Sequence, residues 1–582
     1  MRTFLLAFLL ALATTAARAD ADAAFEALYE REWQHRLADS PQLATSVGVH
    51  DFDAELGHVH EASQAARLDY YRGIAKALAA IDPSAMSAPE RVNYAIFKDQ
   101  VESAIGNIEL KSYLMPMTSD SSFYADLAFL PRSHPFATAE DYRNYIKRLD
   151  AIPAYFDEHV VLLKEGLKRG ITLPKIVLEG RDAAIRTHAE PKSAEDSVYY
   201  GPFKQMPAGI PPDEAAKLRA EGLEAVRKSV IPAYQRLLVF MRDTYIPKAR
   251  TTLAAEALPD GKAFYRRQIK DYVTLDLEPA AIHEQGLREV ARIHAEMERV
   301  MHEAKFDGDF AAFLKFLRTD PQFYAKDAEE LLMRAAWVAK RVDGQLPKFF
   351  GKLPRLPFGI EPVPEAIAPY YTGGRYSPPA YGSTEPGFYW VNTYDLKSRP
   401  LYVLPALTLH ESVPGHHLQG ALANEQGEQP PFRRFSYISA FGEGWALYTE
   451  HLGDEMGIYR TPYEQFGRLT YEMWRACRLV VDTGIHSKDW TRAQALAFLR
   501  DNTALAEHEI ETETDRYISW PGQALSYKLG ELKIRELRAR AEQALGPKFD
   551  LRAFHDAILA LGSVPLPILE QQVDAFIAAR KS

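Results

Sequence analysis

Histidines and carboxylates gather in one stretch of this 582-residue chain, Leu409-His410-Glu411-Ser412-Val413-Pro414-Gly415-His416-His417-Leu418-Gln419. His410 is followed directly by a carboxylate, and two adjacent histidines stand six and seven residues after it. A second run, Phe441-Gly442-Glu443-Gly444-Trp445-Ala446-Leu447-Tyr448-Thr449-Glu450, comes soon afterwards. Together they offer two neutral imidazoles, a carboxylate to complete three protein ligands, an open position for water and a spare carboxylate to take that water's proton. That is the donor set of a catalytic zinc site.

The spacing differs from H-E-x-x-H, in which both histidines share one helical face about a turn apart. Four residues after His410 stands Pro414, which cannot ligate. On a straight helix His416 would point about 240° away from His410, whereas His417 would return to within about 20° but lie about 10.5 Å further along. Pro414 removes an amide donor and frees the His410 carbonyl, and Gly415 beside it accepts unusual dihedrals. A kink or π-bulge that absorbs the extra residues is therefore expected, with His410 and His416 as ligands and His417 the alternative to His416.

H-E-S-V-P-G-H-H-L-Q (His410 to Gln419), E-G-W-A-L-Y-T-E (Glu443 to Glu450) and R-L-V-V-D-T-G-I-H (Arg478 to His486) resemble the signature runs of bacterial domain-of-unknown-function family 885. That family is similar in turn to the helical zinc peptidases that include angiotensin-converting enzyme, thimet oligopeptidase and thermostable carboxypeptidases, which carry H-E-x-G-H. The resemblance implies that His416, after its glycine, is the second ligand, that Glu443 is the third, and that Glu411 is the general base. Its longer spacing leaves His417 open beside His416. Arg516-Tyr517-Ile-Ser-Trp520-Pro521-Gly522-Gln523-Ala-Leu-Ser-Tyr527-Lys528-Leu-Gly530 looks like the Gly- and Tyr-rich segment of those peptidases. By position Tyr527 would stabilise the oxyanion, with Tyr517 and Gln523 behind it as substrate-binding residues.

The elements that must position these groups read as helices. Glu443 and Glu450 are seven apart, on nearly the same face of one helix, so Glu450 is placed to receive the spare N–H of a ligand histidine. Arg478, Asp482 and His486 form a polar stripe in an otherwise apolar helix. It would orient metal ligands, bind a substrate carboxylate through Arg478, or form a structural network. Between Leu353 and Asp395 Pro, Gly and Tyr dominate, and Phe388 to Tyr394 is rich in β-formers, which predicts a small antiparallel sheet just before the metal helix. In the similar peptidases an edge strand there receives the substrate backbone.

The rest is helical, from Asp20 to about Lys352 and again to the end, with breaks where Pro and Gly collect. Glu289, Arg292, Glu296 and Arg299 share one face of a long helix and read as a solvated charged stripe. His50, His58 and His60 read as surface or packing residues. Residues 1–19, an arginine and an apolar run from Phe4 to Ala13 ahead of Ala17-Arg18-Ala19, read as a signal peptide. No cysteine follows that run, so no lipid anchor is expected. The only cysteine, Cys477, reads as a buried inert thiol. A net charge of −10 speaks against nucleic acid and polybasic membrane contacts.

The sequence thus predicts a mainly α, zincin-like metallopeptidase fold with a deep cleft. It would be a single catalytic domain over 20–582 with an N-terminal half to about 352 and a motif-bearing half over 353–582. The expected activity is zinc-dependent hydrolysis of short peptides in the periplasm or outside the cell. Two alternatives remain: a metal-dependent hydrolase of another amide or ester, and a metal-free binding protein. No G-x-S-x-G elbow supports a serine hydrolase.

Overall fold

The computed structural model describes residues 2–119, 121–365, 368–379 and 385–581, with only the backbone described over 2–17. It is mainly helical, with one small sheet. The expected leader falls on α1 (Arg2–Asp39), whose first residues are described as helix alone. Among the described residues no helix is long and apolar enough to cross a membrane.

The chain divides into two compact units. The first holds Met1–Thr252, Ala257–Phe264 and Pro430–Phe435; the second holds Leu253–Glu256, Tyr265–Gln429 and Ser436–Ser582. The first unit is built on α1, α2 (Glu61–Ala79), α3 (Ala88–Glu109) and the long α4 (Ala139–Arg169). A reciprocal Thr138–Asp141 capping box starts α4, which satisfies two orphan amide donors. Its inner face buries Tyr142, Tyr145, Leu149 and Phe156 at the period of a helix. Arg148, fully buried on the same helix, donates to the carbonyls of Pro41, Phe52 and Glu55 and so ties that segment to α4.

In the second unit α5 (Pro279–Glu303) lies along α9 (Pro462–Ser487), so 265–352, assigned from sequence to the N-terminal half, packs here. Buried Glu289 and its neighbour Arg292 meet Glu472 of α9 and Lys528 of α11 (Ser526–Leu545). Glu289, Arg292 and Glu296 of the expected solvated stripe are therefore one side of an ionic network, covered by complementary charges on two other helices. Arg299 stays exposed and pairs with Glu303 on its own helix.

The sheet corrects the sequence expectation. Its order is β1-β3-β2, from β1 (Phe358–Pro362), β2 (Gly374–Ser377) and β3 (Gly387–Val391). β2 pairs antiparallel with β3, Tyr376 opposite Tyr389, but β1 pairs parallel with β3, Ile360 opposite Tyr389, so the sheet is mixed. β1 escapes notice because Phe-Gly-Ile-Glu-Pro has one β-branched residue, and a parallel neighbour leaves no hairpin signal. Ala380–Thr384, part of the stretch read as sheet, lie outside the described residues.

The metal stretch is two helices, α6 (Leu404–Glu411) and α7 (His416–Asn424), where one kinked or bulged helix was expected. Ser412–Gly415 make a turn with a cis Val413–Pro414 peptide. Gly415 is required there: a Cβ would lie 1.9 Å from the His410 carbonyl oxygen. The next helix, α8 (Ser439–Glu455), carries the Glu443 run and meets α11 at an equally close approach. A Cβ on Gly530 would lie 2.0 Å from the Ala440 carbonyl oxygen, and one on Gly444 2.5 Å from the Gly530 carbonyl carbon. Backbone contact this tight fixes α8 against α11 and leaves no room for a methyl. Gly530→Ala is accordingly expected to cost about 1–3 kcal/mol, read as a lowered urea midpoint with an unchanged slope.

Candidate metal centre

His410 ends α6 and His416 opens α7, so the turn between them returns the chain on itself. Their rings meet edge to face with centroids 4.8 Å apart. Glu443, one turn into α8, closes the group: its Oε2 lies 3.5 Å from His410 Nε2 and 3.4 Å from His416 Nε2. One ligating atom from each of the three lies within 4.8 Å of the others. Zinc bonds of about 2.0–2.1 Å in tetrahedral array require ligand atoms about 3.3–3.4 Å apart. The donor types and their spacing fit such an ion.

The support behind the group is equally specific. His410 Nδ1–H donates to Glu450 Oε1 at 2.7 Å, which leaves Nε2 facing Glu443 and His416. Trp445 Nε1–H donates to the Pro414 carbonyl at 2.9 Å, and the Thr449 hydroxyl to the Leu409 carbonyl at 3.1 Å, pinning α8 to the end of α6 and to the turn. Burial works against charge on His410, but Glu443, Glu450 and Glu411 outweigh it and hold its pKa up at about 10. Burial alone would raise the Glu443 carboxyl; the His416 and His410 imidazoles overcome it and hold it well below the usual range. The group is a place built for positive charge.

Glu411 is buried beside it and accepts the Tyr376 backbone N–H at 2.8 Å, so strand β2 holds the free carboxylate. That amide lies on the outer edge of β2, so part of the edge expected to take a peptide backbone is already used. Tyr527 of α11 stacks near His410, ring centroids 6.5 Å apart and 17° from parallel. Tyr437 was missed in the sequence. Its phenol oxygen overhangs Gly442, and burial together with the nearby Glu443 carboxylate pushes its pKa up, while 59% of the residue stays exposed. The only signal was a tyrosine just ahead of the Glu443 run.

The structure does not bring His417 to this group. Consecutive residues at a helix start diverge by about 100°, and His417 turns to the Tyr376 hydroxyl (Nδ1, 3.1 Å) and donates from Nε2 to the Leu356 carbonyl at 3.1 Å. Burial pushes its pKa down to about 4. Arg478, Tyr517 and Gln523 are buried, and none lies among the three ligating groups. Arg478 donates to the Tyr517 hydroxyl and to Glu513, each at 2.8 Å, with its guanidinium 4.3 Å from the Tyr527 ring centroid. It therefore backs Tyr527 where a substrate contact was one expectation. Gln523 accepts from Arg516 at 2.9 Å.

Asp482 and His486 do not orient the ligands either. Asp482 accepts the Tyr265 hydroxyl at 2.6 Å and the Gly522 amide, and His486 bonds the Tyr517 carbonyl at 2.9 Å and the Ala255 amide at 3.1 Å. The stripe is a structural network. Cys477 is fully buried, and burial pushes its thiol pKa up.

A family model described as "Bacterial protein of unknown function (DUF885)" matches residues 41–573. No curated protein matches the chain. The crystal structure of a "putative lipoprotein" from Colwellia psychrerythraea is similar at 28% identity and TM-score 0.88, over 97% of this chain and 100% of that one. A "putative lipoprotein of unknown function" from Shewanella oneidensis shares the fold at 19% identity and TM-score 0.71, over 94% of this chain and 98% of that one.

Burial pushes the Asp482 carboxyl up to about 7, against the Tyr265 and Gly522 bonds. Because this lies above the unfolded value near 3.9, the group's contribution to stability is complete below about pH 4 and is lost as pH rises through about 7. Denaturation of wild type and Asp482→Asn between pH 5 and 8 should show wild type losing about 3 kcal/mol relative to the variant across that range.

Proposed function

The chain belongs to DUF885, a bacterial family of unknown function, and on that footing we propose that it is a zinc-dependent peptidase of the cell envelope. The observation that carries this reading is the approach of His410, His416 and Glu443 to tetrahedral ligand spacing with Glu411 held beside them. Two imidazoles and one carboxylate suit zinc, by the Irving–Williams order and by ligand type. When bound, zinc supplies Lewis acidity toward a carbonyl oxygen and lowers the pKa of a water.

The remaining work falls to side chains. Glu411 takes a proton from the attacking water and passes it to the leaving amine as the C–N bond breaks. The Tyr376 amide orients the Glu411 carboxylate for that transfer. Glu450 keeps His410 in the tautomer that presents Nε2, and Tyr527 and Tyr437 are the phenols at hand to donate toward a developing oxyanion. The N-terminal apolar run and the described relatives, both termed putative lipoproteins, support an envelope location.

Metal analysis of protein purified and washed with a mild chelator should find about one equivalent of tightly held zinc that is lost in His410→Ala, His416→Ala and Glu443→Ala but kept in His417→Ala. No bound metal, even after zinc is offered, would overturn the reading and favour a binding protein. Glu411→Gln should retain zinc while hydrolysis of short peptides falls about 10²–10⁴-fold; full metal occupancy with turnover only of non-peptide amides or esters would move the substrate class. Glu450→Gln should weaken zinc about 10–100-fold without removing a ligand, as read by chelator competition.

A further inference from the structure

Outside this centre, one other group of metal-binding side chains lies together among the described residues: His58, His60 and Glu158 of the first unit. His60 is extended (φ −62°, ψ 162°) as it enters α2, and the His58 and His60 rings lie side by side. Val59 packs against the buried cluster of Leu114, Leu162 and Ile171, which points the two imidazoles outward. Glu158 projects from α4 to meet them.

The three groups are held in place by several contacts. Val59 N–H donates to Glu158 Oε2 at 2.7 Å, and His58 Nδ1 lies 2.8 Å from Glu158 Oε1. Arg67 donates to the His58 carbonyl at 2.6 Å, fixing the segment from the α2 side. The imidazole centroids are 5.6 Å apart, and one ligating atom from each of the three residues lies within 4.8 Å of the others. Both histidines are solvent-exposed, so an ion can reach them. The same contacts would exist in a plain surface ion pair between His58 and Glu158. What that pair does not require is a second imidazole whose nitrogen lies within 4.8 Å of the same carboxylate.

We propose that His58, His60 and Glu158 form a second divalent-cation site that takes zinc or another imidazole-preferring ion in place of magnesium or calcium. The ion would clip the 58–60 segment to α4, joining positions 100 residues apart in sequence. His60 sets a limit on affinity. Its Nδ1 accepts the Ser63 amide at 3.0 Å, as the N-cap of α2, and lies 3.1 Å from the Ser63 hydroxyl. Binding through Nε2 moves the ring proton to Nδ1, where that hydroxyl accepts it and the amide bond is given up. The site is therefore weaker than the His410 centre, and its occupancy stabilises the first unit by linkage.

Zinc titration of the full chain, followed by chelator competition and by melting, tests this. Wild type should bind two equivalents and His58→Ala/His60→Ala one, with Glu158→Gln matching that loss. In His410→Ala/His416→Ala one equivalent should remain, and zinc should still raise the melting midpoint until His58→Ala/His60→Ala is added. Zinc binding to His58→Ala/His60→Ala and Glu158→Gln with the stoichiometry of wild type would overturn the proposal. If the His410 centre holds no zinc, wild type binds one equivalent, and its loss in His58→Ala/His60→Ala still identifies the second site. The changed histidines are exposed, so the comparison of wild type with that variant decides the matter even if the His410→Ala/His416→Ala background fails to fold.

Discussion

The His410 imidazole is gripped between two carboxylates of a single helix, Glu450 on Nδ1 and Glu443 toward Nε2. Seven residues on α8 span about 10.5 Å, so one ring with a contact at each nitrogen bridges two helical turns. This works only if α8 stays fixed against α6 to within a fraction of an ångström. The Trp445 and Thr449 bonds to the carbonyls of Pro414 and Leu409, and the Gly444–Gly530 approach that leaves no space for a side chain, supply that rigidity. Carboxylates buried this way demand positive charge nearby, because a buried anion without a partner is costly. One Glu450 oxygen has no hydrogen-bond partner among the described residues, and the Arg475 guanidinium stands 3.9 Å from the other.

Behind the centre the second unit is stiffened by charge. Lys528, fully buried next to Tyr527 in sequence, meets Glu472 at 2.8 Å, Glu531 at 2.9 Å and Glu289 at 3.3 Å, and Arg468 meets Glu472 at 2.8 Å. Such networks are weak sources of net stability but strong sources of geometry, since breaking one partner strands a buried charge. Here they bind α5, α9 and α11 together, while Arg478 and Arg475 lie against the Tyr527 ring. The phenol offered to the reaction thus stands on a rigid support of several helices.

The sequence was most legible where the chemistry depends on residue type and on spacing within one helix. Glu443 and Glu450 could be placed on one face because α-helical geometry is fixed, and the structure puts Glu450 on His410 Nδ1. It was least legible where several elements meet. Arg478 and Tyr517 have the types of substrate-binding residues, yet each is engaged by partners on α9 and α10 (Glu507–Ser519) that no local pattern reveals. Glu289 and Arg292 look solvated because their covering charges lie far away in sequence, and β1 lacks the composition of a strand.

By itself, then, the sequence determined the helical class, the donor set and the need for a break at Pro414-Gly415, since those follow from side-chain chemistry and backbone sterics. It could not choose between His416 and His417. That choice belongs to the tertiary structure: the turn ends one helix and starts another, and β2 together with the Leu356 carbonyl claims both nitrogens of His417. Tyr376 holding Glu411, Tyr437 over Glu443 and Glu158 beside His58 were likewise decided only in three dimensions. Each joins residues from separate elements, and such encounters depend on how whole helices and strands pack.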